Sequence, residues 1–295
     1  MPPPRVLVTG AGGQVGRDLM ALGGTGLELC GLDRAALDIT RPAAVDAALA
    51  RAQPRLAVNL AAYTAVDKAE DEPAAAFAVN RDGAGNLARA CRRQGIPLIH
   101  VSTDYVFDGT KPGAWREDDP VAPLGVYGRS KADGETAVRA ALSDHVVLRA
   151  SWVFGAHGRN FVRAMLDRIG KGDELRVVDD QRGCPTAAAD LACALVAIAH
   201  RMLAEPGQHA GTYHYCDDGE TTWFGFAQAV FARAKERGFD PPRVVPIKAA
   251  EYAAKARRPA NSVLDCAKAV ARFGVARPPW RESLKPVVDA ILADR

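Results

Sequence analysis

The 295-residue chain is long enough for one large domain or two of ordinary size. With 48% hydrophobic and 25% charged residues it has the balance of a folded soluble protein rather than a disordered one. A formal charge of +3, spread over interspersed acids and bases, argues against nucleic acid or a membrane surface as partner.

In chain order, Met1-Pro2-Pro3-Pro4-Arg5 lacks the apolar core of a signal peptide. Arg5 to Thr9 is a short β-branched run without alternation, the pattern of a strand buried on both faces of a parallel sheet. It enters a turn with glycines at 10, 12, 13 and 16, followed by a helix through Leu22. Such a turn lets a pyrophosphate approach the backbone, and the helix N-terminus offers free N–H groups and positive dipole. The second strand, Leu27 to Leu32, ends at Asp33, about twenty residues beyond the glycines, where a carboxylate binds ribose hydroxyls and favours NAD. Arg34 follows at once and suits the 2′-phosphate of NADP, so these two residues leave NADPH and NADH both open. Asp38, before Ile39, reads equally well as an adenine contact or as a solvated loop carboxylate.

Thr40-Arg41-Pro42 opens a predicted helix through Ala52. Leu56 to Leu60 is the third buried strand, and Ala61-Ala62-Tyr63 at its end has small residues where a cofactor lies against the backbone of an open α/β sheet. An acidic stretch (Asp67, Glu70, Asp71, Glu72, Pro73) precedes one long predicted helix to Gln94, in which Asn80 and Asn86 bond neighbouring loops. Leu98 to Thr103 is a fourth strand, with His100 in the core and Thr103-Asp104 delivered to the edge that holds the glycines. Residues 108–123 read as an irregular surface loop.

Tyr127 and Lys131 then lie four apart on a predicted helix, sharing a face with Cβ atoms roughly 5–6 Å apart. The ammonium is expected to favour the ionised phenol and draw its pKa down from about 10. A lone Tyr-x-x-x-Lys is weak evidence, but strand–helix alternation, glycine turn and Thr103 converge with it on one cleft. Val146 to Ser151 is the next strand. Trp152 at its end is expected either to wall a sugar with its flat face or to fill a seam between domains. Beyond Phe154, Leu175 to Val178 is a strand, and Leu191 to Met202 and Phe224 to Lys235 are amphipathic helices that pack on sheet. Leu191 to Ala199, the most apolar run, is too short to span a bilayer. Arg258 suits a diphosphate; Arg257-Arg258 as a solvated pair is the plainer alternative. Six scattered cysteines (Cys30, Cys91, Cys184, Cys193, Cys216, Cys266) form no CxxC pair, and no histidine cluster has metal spacing, which points to reduced thiols in a cytoplasmic protein. The expected fold class is α/β: a Rossmann-like doubly wound parallel sheet with a smaller C-terminal α/β substrate domain. Residues 1–153 form the dinucleotide-binding domain, the segment near 184–204 packs back on it, and 154–295 mainly bind the substrate.

The chain resembles the extended short-chain dehydrogenase/reductase family in Thr9-Gly10, Gly13, Gly16, Asn59, Ala61-Ala62, Tyr127 and Lys131. More narrowly it is similar to the dTDP-4-dehydrorhamnose reductase family. That likeness rests on 65–70, 102–109, Ser151-Trp152-Val153, Asn160-Phe161, 180–186, Thr221-Thr222-Trp223 and 258–264, in the family's order. The resemblance implies hydride transfer from NADPH, with NADH open, to C4 of a dTDP-linked 4-keto-6-deoxyhexose. Tyr127 would be proton donor, Lys131 holder of the nicotinamide ribose and Thr103 a hydrogen-bond donor to the reacting oxygen. Candidate cofactor contacts are Gly10, Gly12, Gly13, Gln14, Val15, Asp33, Arg34, Asp38, Ile39, Ala61, Ala62, Tyr63, Tyr127 and Lys131. Candidate substrate contacts are Val66, Thr103, Asp104, Tyr127, Trp152, Asn160 and Arg258.

Related 4,6-dehydratases follow the threonine with Asp-Glu; here Tyr105 follows Asp104, which fits reduction rather than dehydration. Some members hold magnesium between subunits with glutamates. The comparable positions are Asp18 and Ala189, so magnesium is not favoured and a homodimer stays open. Two alternatives remain: a 4-ketoreductase for another hexose or nucleotide, and a non-catalytic NADP-binding subunit like that of methionine adenosyltransferase, against which intact Thr103, Tyr127 and Lys131 speak.

Overall fold

Short apolar strands alternating with helices build the first half of the computed structural model, which describes residues 2–293. In order they are β1 (Arg5–Thr9), α1 (Gln14–Ala21), β2 (Glu28–Leu32), α2 (Pro42–Ala52), β3 (Leu56–Asn59), α3 (Val66–Ala69), α4 (Pro73–Phe77), α5 (Ala84–Gln94), β4 (Leu98–Thr103), α6 (Val126–Ala141) and β5 (His145–Ala150). β3 and β5 are buried along their whole length, as two-sided burial requires.

The strands form one parallel sheet in the order β2-β1-β3-β4-β5, with Gly211–Tyr215 as a sixth strand beside β5. The chain steps from β1 outward to β2 and then returns to the other side of β1. This reversal opens a crevice between the carboxyl ends of β1 and β3, where ligands of such sheets bind. The glycine turn leaves β1 and Ala61-Ala62 leaves β3 at that crevice.

Helices cover both faces. On one, α1 and the helix Ala188–Ala204 pack Leu19, Leu191, Leu195 and Ile198 against Val6, Val8, Val58, Ile99 and Leu148. On the other, Val45 and Leu49 of α2, Leu87 of α5 and Val138 of α6 meet Leu7, Ala57, Leu98 and Val147. A smaller lobe holds the parallel pair Glu174–Val178 and Arg243–Ile247 with the helices Phe161–Leu166, Trp223–Glu236 and Trp280–Ala293, around Phe154, Phe226, Leu284 and Val288. The helix Trp223–Glu236 packs on that pair and on its neighbouring helices rather than on the six-stranded sheet.

Two elements depart from the sequence reading. The single helix expected through residue 94 is instead α4 and α5 joined by a π-helical turn over Ala78–Gly83. The loop 108–123 is irregular but not merely superficial: Trp115 is buried, stacked on Phe107 at 4.5 Å, and its Nε1 donates to the Asn261 carbonyl.

Candidate active site

The glycine turn is shaped by contact with its neighbour across the crevice. Gly10 has φ +71°, and a Cβ there would come within 2.6 Å of the Ala61 nitrogen, so only glycine lets the turns after β1 and β3 touch. Asn59 ties the same junction: its Oδ1 accepts from Thr9 Oγ1 at 2.7 Å and from the Ala61 N–H at 3.2 Å. Gly13 precedes α1 without a side-chain cap, leaving the first N–H groups of the helix at the crevice.

Two adjoining cavities, of about 530 and 720 Å³, meet over Gly10, Gly12 and Gly13. The second is lined by Asp33, Arg34, Asp38, Ile39, Ala61, Ala62 and Tyr63. Asp33 Oδ1 accepts the Ala35 and Ala36 N–H groups, and Asp38 Oδ1 accepts from Thr40 N and Oγ1, so each carboxylate also fastens its own turn.

Into the first cavity project Gln14, Val15, Val66, Thr103, Asp104, Tyr127, Lys131, Trp152 and Asn160. The start of α6 is pinned by Glu70, whose Oε1 accepts the Val126 N–H at 2.8 Å. The π-helical turn aims Asn80 inward: it brackets the Tyr63 peptide and donates to Ser130 Oγ at 2.9 Å. This turn thereby joins the β3 crevice to the helix carrying Tyr127. Lys131 is buried, with Nζ donating to the Val101 carbonyl at 2.7 Å.

The electrostatics correct one expectation. Burial pushes the Tyr127 phenol up to about 12, the Thr103 hydroxyl pulls it down and the Asp104 carboxylate raises it further; Lys131 is not among the charges that set it. The lysine is itself drawn down to about 8 by burial, with Glu135 opposing. Desolvation outweighs the helical neighbour. Asp104 is also buried, and burial pushes it up to about 7 against the opposing Ser262 and Thr103 hydroxyls; its Oδ1 accepts from Thr103 Oγ1 at 2.9 Å, and its Oδ2 has no partner within hydrogen-bond geometry among the described residues.

On the second lobe's side, Trp152 has φ +46° and stacks on Trp223 with centroids 3.5 Å apart. Gly183 packs closely against the same indole, where a Cβ would fall 2.4 Å from the ring. The indole Nε1 donates to Ser262 Oγ at 3.1 Å, and Trp152 lines the cavity while also packing at the seam between the lobes, a place compatible with both roles expected of it. Asn160 Nδ2 donates to Gln14 Oε1 at 2.9 Å, bringing the two lobes together beside α1. Arg258 is the candidate the structure does not place in the cleft. Its guanidinium is bound to Asp67 at 2.7 Å, and the Ala256 N–H also donates to that carboxylate. The guanidinium also lies close enough to Tyr105, which lines the cavity, for each charge to shift the other.

Sequence reasoning missed several contributors. Trp223, Arg159 and Tyr105 line the cavity. Beneath it, Glu135 on α6 accepts from Ser102 at 2.6 Å and from Arg149 at 2.9 and 2.7 Å, all buried. The signal for that pair was a glutamate four beyond Lys131 and an arginine inside an otherwise apolar strand. His100, expected as a core histidine, is buried with Nδ1 bonded to Asn59 and Nε2 unpartnered among the described residues.

A family profile described as RmlD substrate binding domain matches residues 4–293. A dTDP-4-dehydrorhamnose reductase of Sinorhizobium fredii is 46% identical over 291 residues, covering 98% of each chain. A probable dTDP-4,6-dihydroxy-2-methyloxan-3-one 4-ketoreductase of Streptomyces antibioticus is 43% identical, covering 98% of this chain and 96% of its own. Among solved structures, a dTDP-4-dehydrorhamnose reductase of Bacillus anthracis in complex with NADP superposes with a TM-score of 0.87 at 34% identity, covering 96% of this chain and 98% of its own.

Proposed function

The chain belongs to the RmlD substrate binding domain family, and on that premise we propose that it reduces the C4 keto group of dTDP-4-dehydro-L-rhamnose with NADPH, giving dTDP-L-rhamnose for cell-surface polysaccharide synthesis. The observation that carries the reading is the meeting of Thr103, Tyr127 and Lys131 in a cavity continuous with the glycine turn. The residues present fit a dinucleotide. A glycine cradle that a side chain would fill and an uncapped helix start face the diphosphate position, and a second cavity beyond them has room for the adenosine.

Bound NADPH supplies the hydride; the protein positions the carbonyl and manages its oxygen. Tyr127, whose elevated pKa keeps it protonated at neutral pH, donates to the developing alkoxide. Lys131, fixed by the Val101 carbonyl, holds the nicotinamide ribose and adds positive charge beside that oxygen. Thr103 lends a hydrogen bond to the same oxygen. In this arrangement its hydroxyl donates to Asp104, and a protonated Asp104 reverses that bond and frees the donor. Trp152, Val66 and Asn160 bound the sugar. Asp33 and Asp38 sit where the adenosine ribose and adenine would lie, and Arg34 suits the 2′-phosphate. The first sheet with its covering helices binds the cofactor, and the smaller lobe binds the sugar nucleotide. Six free cysteines, and the lack among the described residues of any helix long and apolar enough to cross a membrane, suit the cytoplasm.

The test is NADPH consumption by purified protein offered dTDP-4-dehydro-L-rhamnose, with the product identified. Turnover to dTDP-L-rhamnose is expected. A folded, NADPH-binding protein that reduces no dTDP- or UDP-linked 4-ketosugar overturns the reading.

A further inference from the structure

Most cations around the cleft are already engaged. Arg149 binds Glu135, Arg163 binds the Ala156 carbonyl, Arg258 binds Asp67 and Lys131 binds the Val101 carbonyl. Arg159 differs. It lines the cavity, is exposed, and makes no hydrogen bond or ion pair among the described residues.

The backbone that carries it is nevertheless fixed. Gly158 packs on the Gln14 side chain. Asn160 Nδ2 donates to Gln14 Oε1 at 2.9 Å and to the Gly155 carbonyl at 2.8 Å, while its Oδ1 accepts the Arg163 N–H at 3.0 Å. Gln14 is the first residue of α1, directly after Gly12-Gly13. The peptide bearing Arg159 therefore rests on the rim of the glycine turn, with an unpartnered guanidinium on a flexible stem. A second cation, Lys68, lines the adjoining cavity, where it is ion-paired to Glu72 at 2.8 Å. Its affinity for a proton is raised chiefly by Glu72 and reduced by the charge of Arg159, so the two positive groups feel each other. A guanidinium without a carboxylate, lining one cavity with free helix N–H groups, is a place that an anion stabilises. Its paired donors match two oxygens of a phosphate group.

We propose that Arg159 is an arm of the second lobe that closes over the diphosphate seated on the glycine turn, completing from outside the site that α1 opens from the sheet. The proposal rests on the dinucleotide reading and adds to it a contact that links cofactor binding to approach of the two lobes. The anchoring to Gln14, rather than to the sugar side of the cavity, assigns the arm to the cofactor's diphosphate and not to that of the sugar nucleotide.

The test titrates NADPH and NADH, by nicotinamide fluorescence over a range of NaCl concentrations, into the full-length wild type, Arg159→Ala and Arg159→Lys; dTDP is titrated by calorimetry. Arg159→Ala is expected to weaken both dinucleotides by the same factor, about tenfold, and to flatten the salt dependence. Arg159→Lys recovers part of the loss, because a point charge replaces a fork. Affinity for dTDP stays the same. A loss confined to NADPH assigns the arm to the 2′-phosphate, and a loss confined to dTDP assigns it to the substrate; either overturns the proposal, as does an Arg159→Ala variant that binds both dinucleotides like the wild type. Wild-type protein that binds neither dinucleotide overturns the cofactor reading along with it.

Discussion

At the scale of single residues, burial governs the chemistry more than adjacency does. Tyr127 and Lys131 are one helical turn apart, yet each is shifted chiefly by loss of water, the phenol upward and the ammonium downward. For a reductase this serves well, because the proton donor stays loaded. Tyr127→Phe should lower turnover by roughly 10²–10⁴ while NADPH still binds, which paired rate and fluorescence titrations check. The pH profile follows from the lysine. Its charged form disappears as pH rises through about 8, well before the phenol ionises, so kcat/KM for NADPH should fall above that pH, and a profile flat from pH 7 to 10 would contradict it. The Tyr-x-x-x-Lys spacing located both groups in the sequence. The direction of the tyrosine shift was hidden, since it depends on side chains brought together from Thr103 and Asp104 as well as on burial.

Among elements, α6 is the one the site depends on, and it is held from both sides. The π-helical turn grips it through Asn80 and Ser130, and the sheet grips it through Glu135, Arg149 and Ser102. The Glu135 carboxylate is fully buried, Arg149 is 2% exposed, and the arginine holds the acid below its ordinary range against the desolvation that raises it. Truncating one partner strands the other charge, so Glu135→Ala should lose about 3–5 kcal/mol of stability in denaturant titration. A loss under 1 kcal/mol would show the pair to be dispensable. The same cut should reduce catalysis, because Lys131 lies one turn before Glu135. Strand and helix alternation made these elements legible from the sequence, with each strand of the first half found near its position. The extra residue that makes the π turn was not, for Gly83 weakens a helix without marking an inserted residue. The turn is set by what Asn80 reaches.

Over the whole molecule, the far end of the chain returns to the first lobe. Asp67 receives Arg258 and the Ala256 N–H, and Asp71 receives Lys255, so the stretch around 255–258 straps the second lobe onto α3 and the residues after it. Asp67→Ala should free that strap, and limited trypsin digestion should then cut faster after Lys255 and Arg257, the Arg258–Pro259 bond being resistant; an unchanged cleavage rate would count against the strap. In the sequence Arg258 stands open between a diphosphate contact, which a guanidinium suits, and a solvated pair with Arg257. Only the fold brings Asp67 to it from 191 positions away. Gly211–Tyr215 was overlooked for a related reason: five residues with two tyrosines and a histidine carry little signal until β5 offers them an edge.

That borrowed edge limits how the gene can be divided. A piece ending after β5 would expose a bare row of peptide groups on a strand rich in valine and leucine, and would strip Leu191, Leu195 and Ile198 from the apolar face of the sheet. Such a fragment invites self-association through its open flank. Exchanging sugar preferences between relatives by recombination would therefore succeed only with crossovers that return the stretch from 188 to 215 to its parent.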